Sequence, residues 1–173
     1  MRGGRPIKST NAGRGKGQPK SEMLLKLELQ SNPEALCLVR ATIERAAEVL
    51  HFPDTDARAI VRSVDEALAN VLRHAYRGRI GLPIELSCHK LQPASTGDSH
   101  TGIEVILKDQ GLALNPAKLK GRPLDDIRPG GLGLHFIKQS MDKVEFSRKK
   151  GKNQLRMVKY LTPAAQPAES QGD

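Results

Sequence analysis

Three groups of residues in this chain have types and spacings that suit chemistry. The first is the stretch SVDEALANVLRHAY, Ser63 to Tyr76, which places Asp65, Glu66, Asn70, Arg73 and His74 within ten residues. At about 100° per residue, Glu66 and Asn70 become neighbours on one helical face. The second is VILKDQG, in which Asp109 and Gly111 follow an apolar run. A carboxylate at a strand end accepts from an amino group such as the exocyclic amine of adenine, and glycine lets the backbone approach a flat ligand. The third is RPGGLGLHFI, where Gly130, Gly131 and Gly133 precede a helical pattern. Exposed backbone N–H groups at a helix N-terminus suit an anion such as phosphate. No G-x-x-x-x-G-K-[ST] or G-x-G-x-x-G pattern is present.

Each group also has an ordinary reading. Glu66, Asn70, Arg73 and Arg77 lie opposite an apolar stripe of Ala57, Ile60, Val61, Val64, Leu68, Val71 and Ala75, as on any surface helix. Asp-x-Gly suits a plain turn, and glycines suit a helix entry. Asp65 acquires no role and is expected on the solvated face.

The elements that must position these groups are legible from periodicity. MLLKLELQS, from Met23, suits a first strand. Pro33 after Asn32 suits a helix start, and Leu36, Val39, Ile43, Ala46, Ala47 and Leu50 recur at helical spacing. Asp54 or Thr55 is placed to cap a second helix running to about Tyr76. PIELSCHKL and TGIEVILKD read as two strands flanking a polar hairpin loop. Some twenty residues rich in Gly and Pro then form a long loop, a feature that is usually functional or disordered. LGLHFIKQSMD reads as a short helix, and KVEFSRK and NQLRMVKYL as closing strands joined by KGK. This order predicts an α+β two-layer sandwich, with a mixed, mostly antiparallel sheet covered by helices on one face.

Composition narrows the class. The chain has 173 residues, 38% hydrophobic and 27% charged, with formal charge +9, which suits one domain. Residues 1–20 carry Arg2, Arg5, Lys8, Arg14, Lys16 and Lys20 with no acid. Their Gly-rich, apolar-poor composition predicts a solvated tail rather than a folded element. Boundaries are expected at 1–22 for this tail, 23–161 for the folded domain and 162–173 for a second tail. Trp is absent and only Phe52, Phe136, Phe146, Tyr76 and Tyr160 are aromatic, which argues against a base-stacking nucleic-acid binder. No run reaches the ~20 apolar residues of a membrane helix. Cys37 and Cys88 lack metal-ligand spacing and read as buried free thiols, consistent with a cytoplasmic protein.

The ordered set is more specific than its parts: an acidic E-x-x-x-N helix, a strand ending D-x-G, a long loop, then G-G-L-G-L opening a helix. It resembles the Bergerat-type, histidine-kinase-like ATPase fold (GHKL) shared with the gyrase and MutL ATPases. Within that group DEALANVLRHAY, RPGGLGLHFIKQSMDKVEF and NQLRMVKYL are similar to the anti-sigma-factor serine kinases. The resemblance covers roughly Leu24 to Leu161. It implies ATP and Mg²⁺ as cofactors, with Asn70 ligating the metal and Glu66 acting as general base toward a serine hydroxyl. Asp109 would read the adenine amine with Gly111 beside the ring. Gly130, Gly131 and Gly133 would cover the phosphates, Arg128 would meet the γ-phosphate, and Arg73 and His74 would line the pocket. Two departures from the wider fold stand out: Ala113 replaces a frequent second Gly, and GKNQL replaces a Gly-Thr before the last strand.

The function so implied is an anti-sigma factor that binds a sigma factor and phosphorylates a STAS-type anti-anti-sigma antagonist on serine, as a homodimer. Two other readings are a nucleotide-dependent binding module without kinase activity and a nucleic-acid regulator acting through residues 1–20.

Overall fold

The computed structural model describes residues 20–93, 101–113 and 132–162. Among these residues five strands form one sheet: β1 (Lys20–Gln30), β2 (Pro83–Gln92), β3 (Gly102–Asp109), β4 (Lys143–Lys149) and β5 (Lys152–Tyr160). Their order is β1-β2-β3-β5-β4 and all four pairings are antiparallel. Among the described residues three α-helices accompany them: α1 (Ala35–Val49), α2 (Asp54–Asn70) and α3 (Leu132–Ser140). The chain forms the expected α+β sandwich, with the described sheet wholly antiparallel rather than mixed. β1 begins three residues before the Met23 start that its apolar pattern suggests.

Alternation along the strands decides which face is covered. Ile84, Leu86 and Cys88 on β2 share a side with Ile103, Val105 and Leu107 on β3 and with Leu155 and Met157 on β5. All are buried, in one cluster with Val39 and Ile43 of α1, Ile60, Val64 and Leu68 of α2, and Ile137 of α3. Each such side chain contributes roughly 1.5–3 kcal/mol on burial. Asn70 inside a helix costs at most ~0.7 kcal/mol against alanine, so packing decides that α2 is helical.

The tight β4–β5 hairpin follows from Lys150 (φ 50°) and Gly151 (φ 79°). Two left-handed residues in succession match the twist of a two-residue hairpin. At the start of α2, neither Asp54 nor Thr55 caps the helix. Pro53 occupies the cap position without a side-chain bond, and Asp54 and Asp56 fall in the first turn, where negative charge suits the helix dipole.

Three further expectations change. α2 does not run unbroken to Tyr76; it ends at Asn70 and widens into a π-helical turn, Val71–Ala75, closed by Tyr76 N donating to Val71 O at 2.9 Å. Cys37 is exposed and only Cys88 is buried, because Cys37 precedes the Val39–Ile43 stripe of α1 on its outer side. Asp65 is half-buried and paired with Arg40 of α1 at 2.8 Å, since α1 packs beside α2 at that level. Among the described residues no helix is long and apolar enough to cross a membrane.

Candidate functional site

Asp109 ends β3 on the core face and is buried. Its Oδ1 accepts from Gly111 N at 2.8 Å and from Asn153 Nδ2 at 2.8 Å. The first bond closes an Asx-type turn, and the second comes from β5, where Asn153 stands directly opposite in register. Gly111 is buried against the π-helical turn. A β-carbon there would lie 2.5 Å from Ala75 O and 2.6 Å from Ala75 Cβ, so only glycine fits without movement of the backbone.

Two hydrogen bonds fasten this turn to the end of α2. Leu112 N donates to Ala75 O at 3.0 Å. Tyr76 is buried, and its hydroxyl accepts from Gln110 N at 3.0 Å while donating to Pro83 O. Burial holds the Tyr76 phenol above its ordinary pKa, so it remains a donor. The widened helical turn thus links the Asp109 turn to the helix that carries Glu66 and Asn70.

Glu66 and Asn70 are half-buried on α2, not on a fully solvated face. α3 packs against α2, with Ile137 buried and the Arg62 guanidinium 4.2 Å from the Phe136 ring centroid. Gly133, second residue of α3, meets Glu66: a β-carbon there would overlap Glu66 Oε2. The structure therefore brings together Glu66, Asn70 and Gly133 on one side, and Asp109 and Gly111 on another, on a common frame. Arg73 and His74 are exposed on the π-helical turn, with Arg73 Nε 3.3 Å from Ala69 O. Arg128, Gly130 and Gly131 lie outside the described residues.

Residues missed by sequence reasoning are Asn153, Arg148 and Tyr76. Asn153 carried a signal: in NQLRMVKYL it shares the inward parity of Leu155 and Met157, so a polar group was due on the core face. Arg148 and Tyr76 carried none, because their partners are set by the strand order.

A sequence profile describing the histidine kinase-like ATPase domain matches residues 29–159. The chain belongs to this family. It is 29% identical over 147 residues to a protein named serine-protein kinase RsbW from Halalkalibacterium halodurans, covering 79% of this chain and 83% of the relative. It is 24% identical to the protein of the same name from Bacillus pumilus, covering 80% and 86%. Among solved structures, that of the RsbU and RsbW domains of Rv1364c from Mycobacterium tuberculosis superposes with a TM-score of 0.54. That match covers 79% of this chain and 31% of the other, at 16% identity, and shows the fold alone. Membership implies nucleotide binding.

Proposed function

We propose that this chain is an ATP-binding anti-sigma factor with serine-protein kinase activity, acting on a STAS-type anti-anti-sigma antagonist and binding a sigma factor, as a homodimer in the cytoplasm. The observation that carries this reading is the link between Asp109 and α2 through Tyr76, Ala75 and the Gln110–Leu112 turn. A base-reading carboxylate and a phosphate-end pair belong on one rigid frame in a phosphoryl-transfer site. The names of the RsbW relatives support the kinase class.

In this reading Asp109 accepts from the adenine amine, and the Gly111 turn, packed on Ala75, stands beside the ring. Gly130, Gly131 and Gly133 present backbone N–H groups to the phosphates, and Arg128 pairs with the terminal one. Arg73 and His74 line the rim. The donor set suits Mg²⁺, which is held by few protein oxygens together with substrate phosphates: Asn70 offers an uncharged amide oxygen one turn from Glu66. When bound, the metal offsets charge on the phosphoryl oxygens. Glu66 takes the proton from the serine hydroxyl as its oxygen bonds to the γ-phosphorus and the bond to ADP breaks.

The test is incubation with Mg-ATP and the antagonist. Phosphoserine forms with the native chain, and Glu66→Gln lowers its rate by about 10²–10⁴ while ATP binding persists. ATP-dependent partner binding without phosphoserine would reduce the reading to a binding module. Recovery of a sigma factor with the tagged chain checks the partner.

A further inference from the structure

Arg148, Asn153 and Asp109 sit side by side on three neighbouring strands, β4, β5 and β3. Asn153 is 2% exposed, and both ends of its amide are committed. Nδ2 donates to Asp109 Oδ1 at 2.8 Å and to Leu112 O at 2.9 Å. Oδ1 accepts from Arg148 Nη1, and the same Nη1 donates to Gly111 O at 3.0 Å. Only one amide orientation satisfies these partners. Turned over, the amide would set its oxygen against a carboxylate and a carbonyl, and its NH₂ against a guanidinium. Arg148 donates only, so it dictates the orientation.

With both Nδ2 hydrogens engaged inside the protein, Asn153 has none left for a ligand. We propose that Arg148 and Asn153 are positioning residues that hold the Asp109 carboxylate and the Gly111–Leu112 turn in base-reading geometry, and so set the preference for a purine bearing an exocyclic amine over one bearing a carbonyl at that place. This inference rests on the nucleotide-site reading above. It adds a specificity device supplied by the closing hairpin, from outside the strand that bears the acid.

The test is calorimetric titration of the full chain with Mg-ATP and Mg-ITP, which differ in that amine. The native chain prefers ATP. In Arg148→Ala the ATP affinity falls about tenfold, the loss expected for one charge-assisted hydrogen bond, with ITP little changed, so the ratio collapses. Arg148→Lys restores part of it. Asn153→Asp replaces the amide donor to Asp109 with a carboxylate of like charge, and the ATP-to-ITP ratio falls. Thermal melts on each variant separate this from unfolding. A native ATP-to-ITP ratio in both Arg148→Ala and Asn153→Asp overturns the proposal and leaves the nucleotide site standing. So does an equal loss for both nucleotides with a lowered melting temperature. If the native chain binds neither nucleotide, the underlying reading falls as well.

Discussion

Gly133 and Glu66 occupy adjoining space across the α2–α3 contact, so close that a β-carbon on the glycine would overlap Oε2 and come within 3.2 Å of Cδ. The start of α3 lies against the carboxylate proposed for proton transfer.

That contact makes Gly133→Ala a probe of geometry more than of stability. The obstructing atom is the far end of a flexible side chain, so Glu66 swings aside at a cost of about 1 kcal/mol or less. Displacing a reacting group by about 1 Å costs up to ~10²-fold in rate. The expected result is a near-native melting temperature with phosphoryl transfer reduced about 10- to 100-fold.

Gly111→Ala should behave in the opposite way. Its added carbon meets the backbone of Ala75 at 2.5 Å, and a backbone held by the Leu112–Ala75 hydrogen bond does not yield cheaply. A loss of about 1–3 kcal/mol in urea unfolding is expected, accompanied by weaker nucleotide binding because the turn and Asp109 move together.

Tyr76→Phe keeps the buried ring and removes one oxygen. Gln110 N and Pro83 O then lose their shared partner. Both residues are exposed, so water takes over part of the pairing, and the expected loss is about 0.5–1.5 kcal/mol, that of one ordinary hydrogen bond. Faster hydrogen exchange at the Gln110 amide would locate the loss at the link between β3 and α2.

The two cysteines should differ in reactivity. Exposed Cys37 reacts with a thiol reagent in the native chain, and buried Cys88 reacts only after unfolding. Burial, followed by the nearby Glu104 charge, pushes the Cys88 thiol up to about 12 from 9.0. The native state therefore favours the neutral thiol, and its contribution is fully present below about pH 9. Stability falls as pH rises from there toward 12, by at most ~1.4 kcal/mol per pH unit. Tyr76, raised by burial, acts in the same sense. Cys88→Ala should flatten the alkaline slope of the urea midpoint; an unchanged slope would falsify this assignment.

Much of the fold was legible because its determinants are local. The Val39, Ile43, Ala46, Ala47 stripe of α1 and the Ile60, Val64, Leu68 stripe of α2 are buried as their spacing predicts. KVEFSRK coincides with β4. The misjudged residues lie where a neighbouring element intervenes. Asp65 sits on a polar face by the helical wheel, yet Arg40, 25 residues away, draws it into an ion pair. The π-helical turn escaped because its i→i+5 bond leaves the apolar period nearly intact through Ala75.

By itself the sequence determined the elements and the ordered motif set, since period, turn chemistry and residue type act over a few positions. Tertiary structure alone decided that β5 inserts between β3 and β4. That insertion sets Asn153 beside Asp109 across 44 residues and Arg148 beyond it. Packing of α3 on α2 likewise decided that Gly133 meets Glu66. These relationships depend on strand register and on the burial of distant faces against one another, which no local spacing encodes.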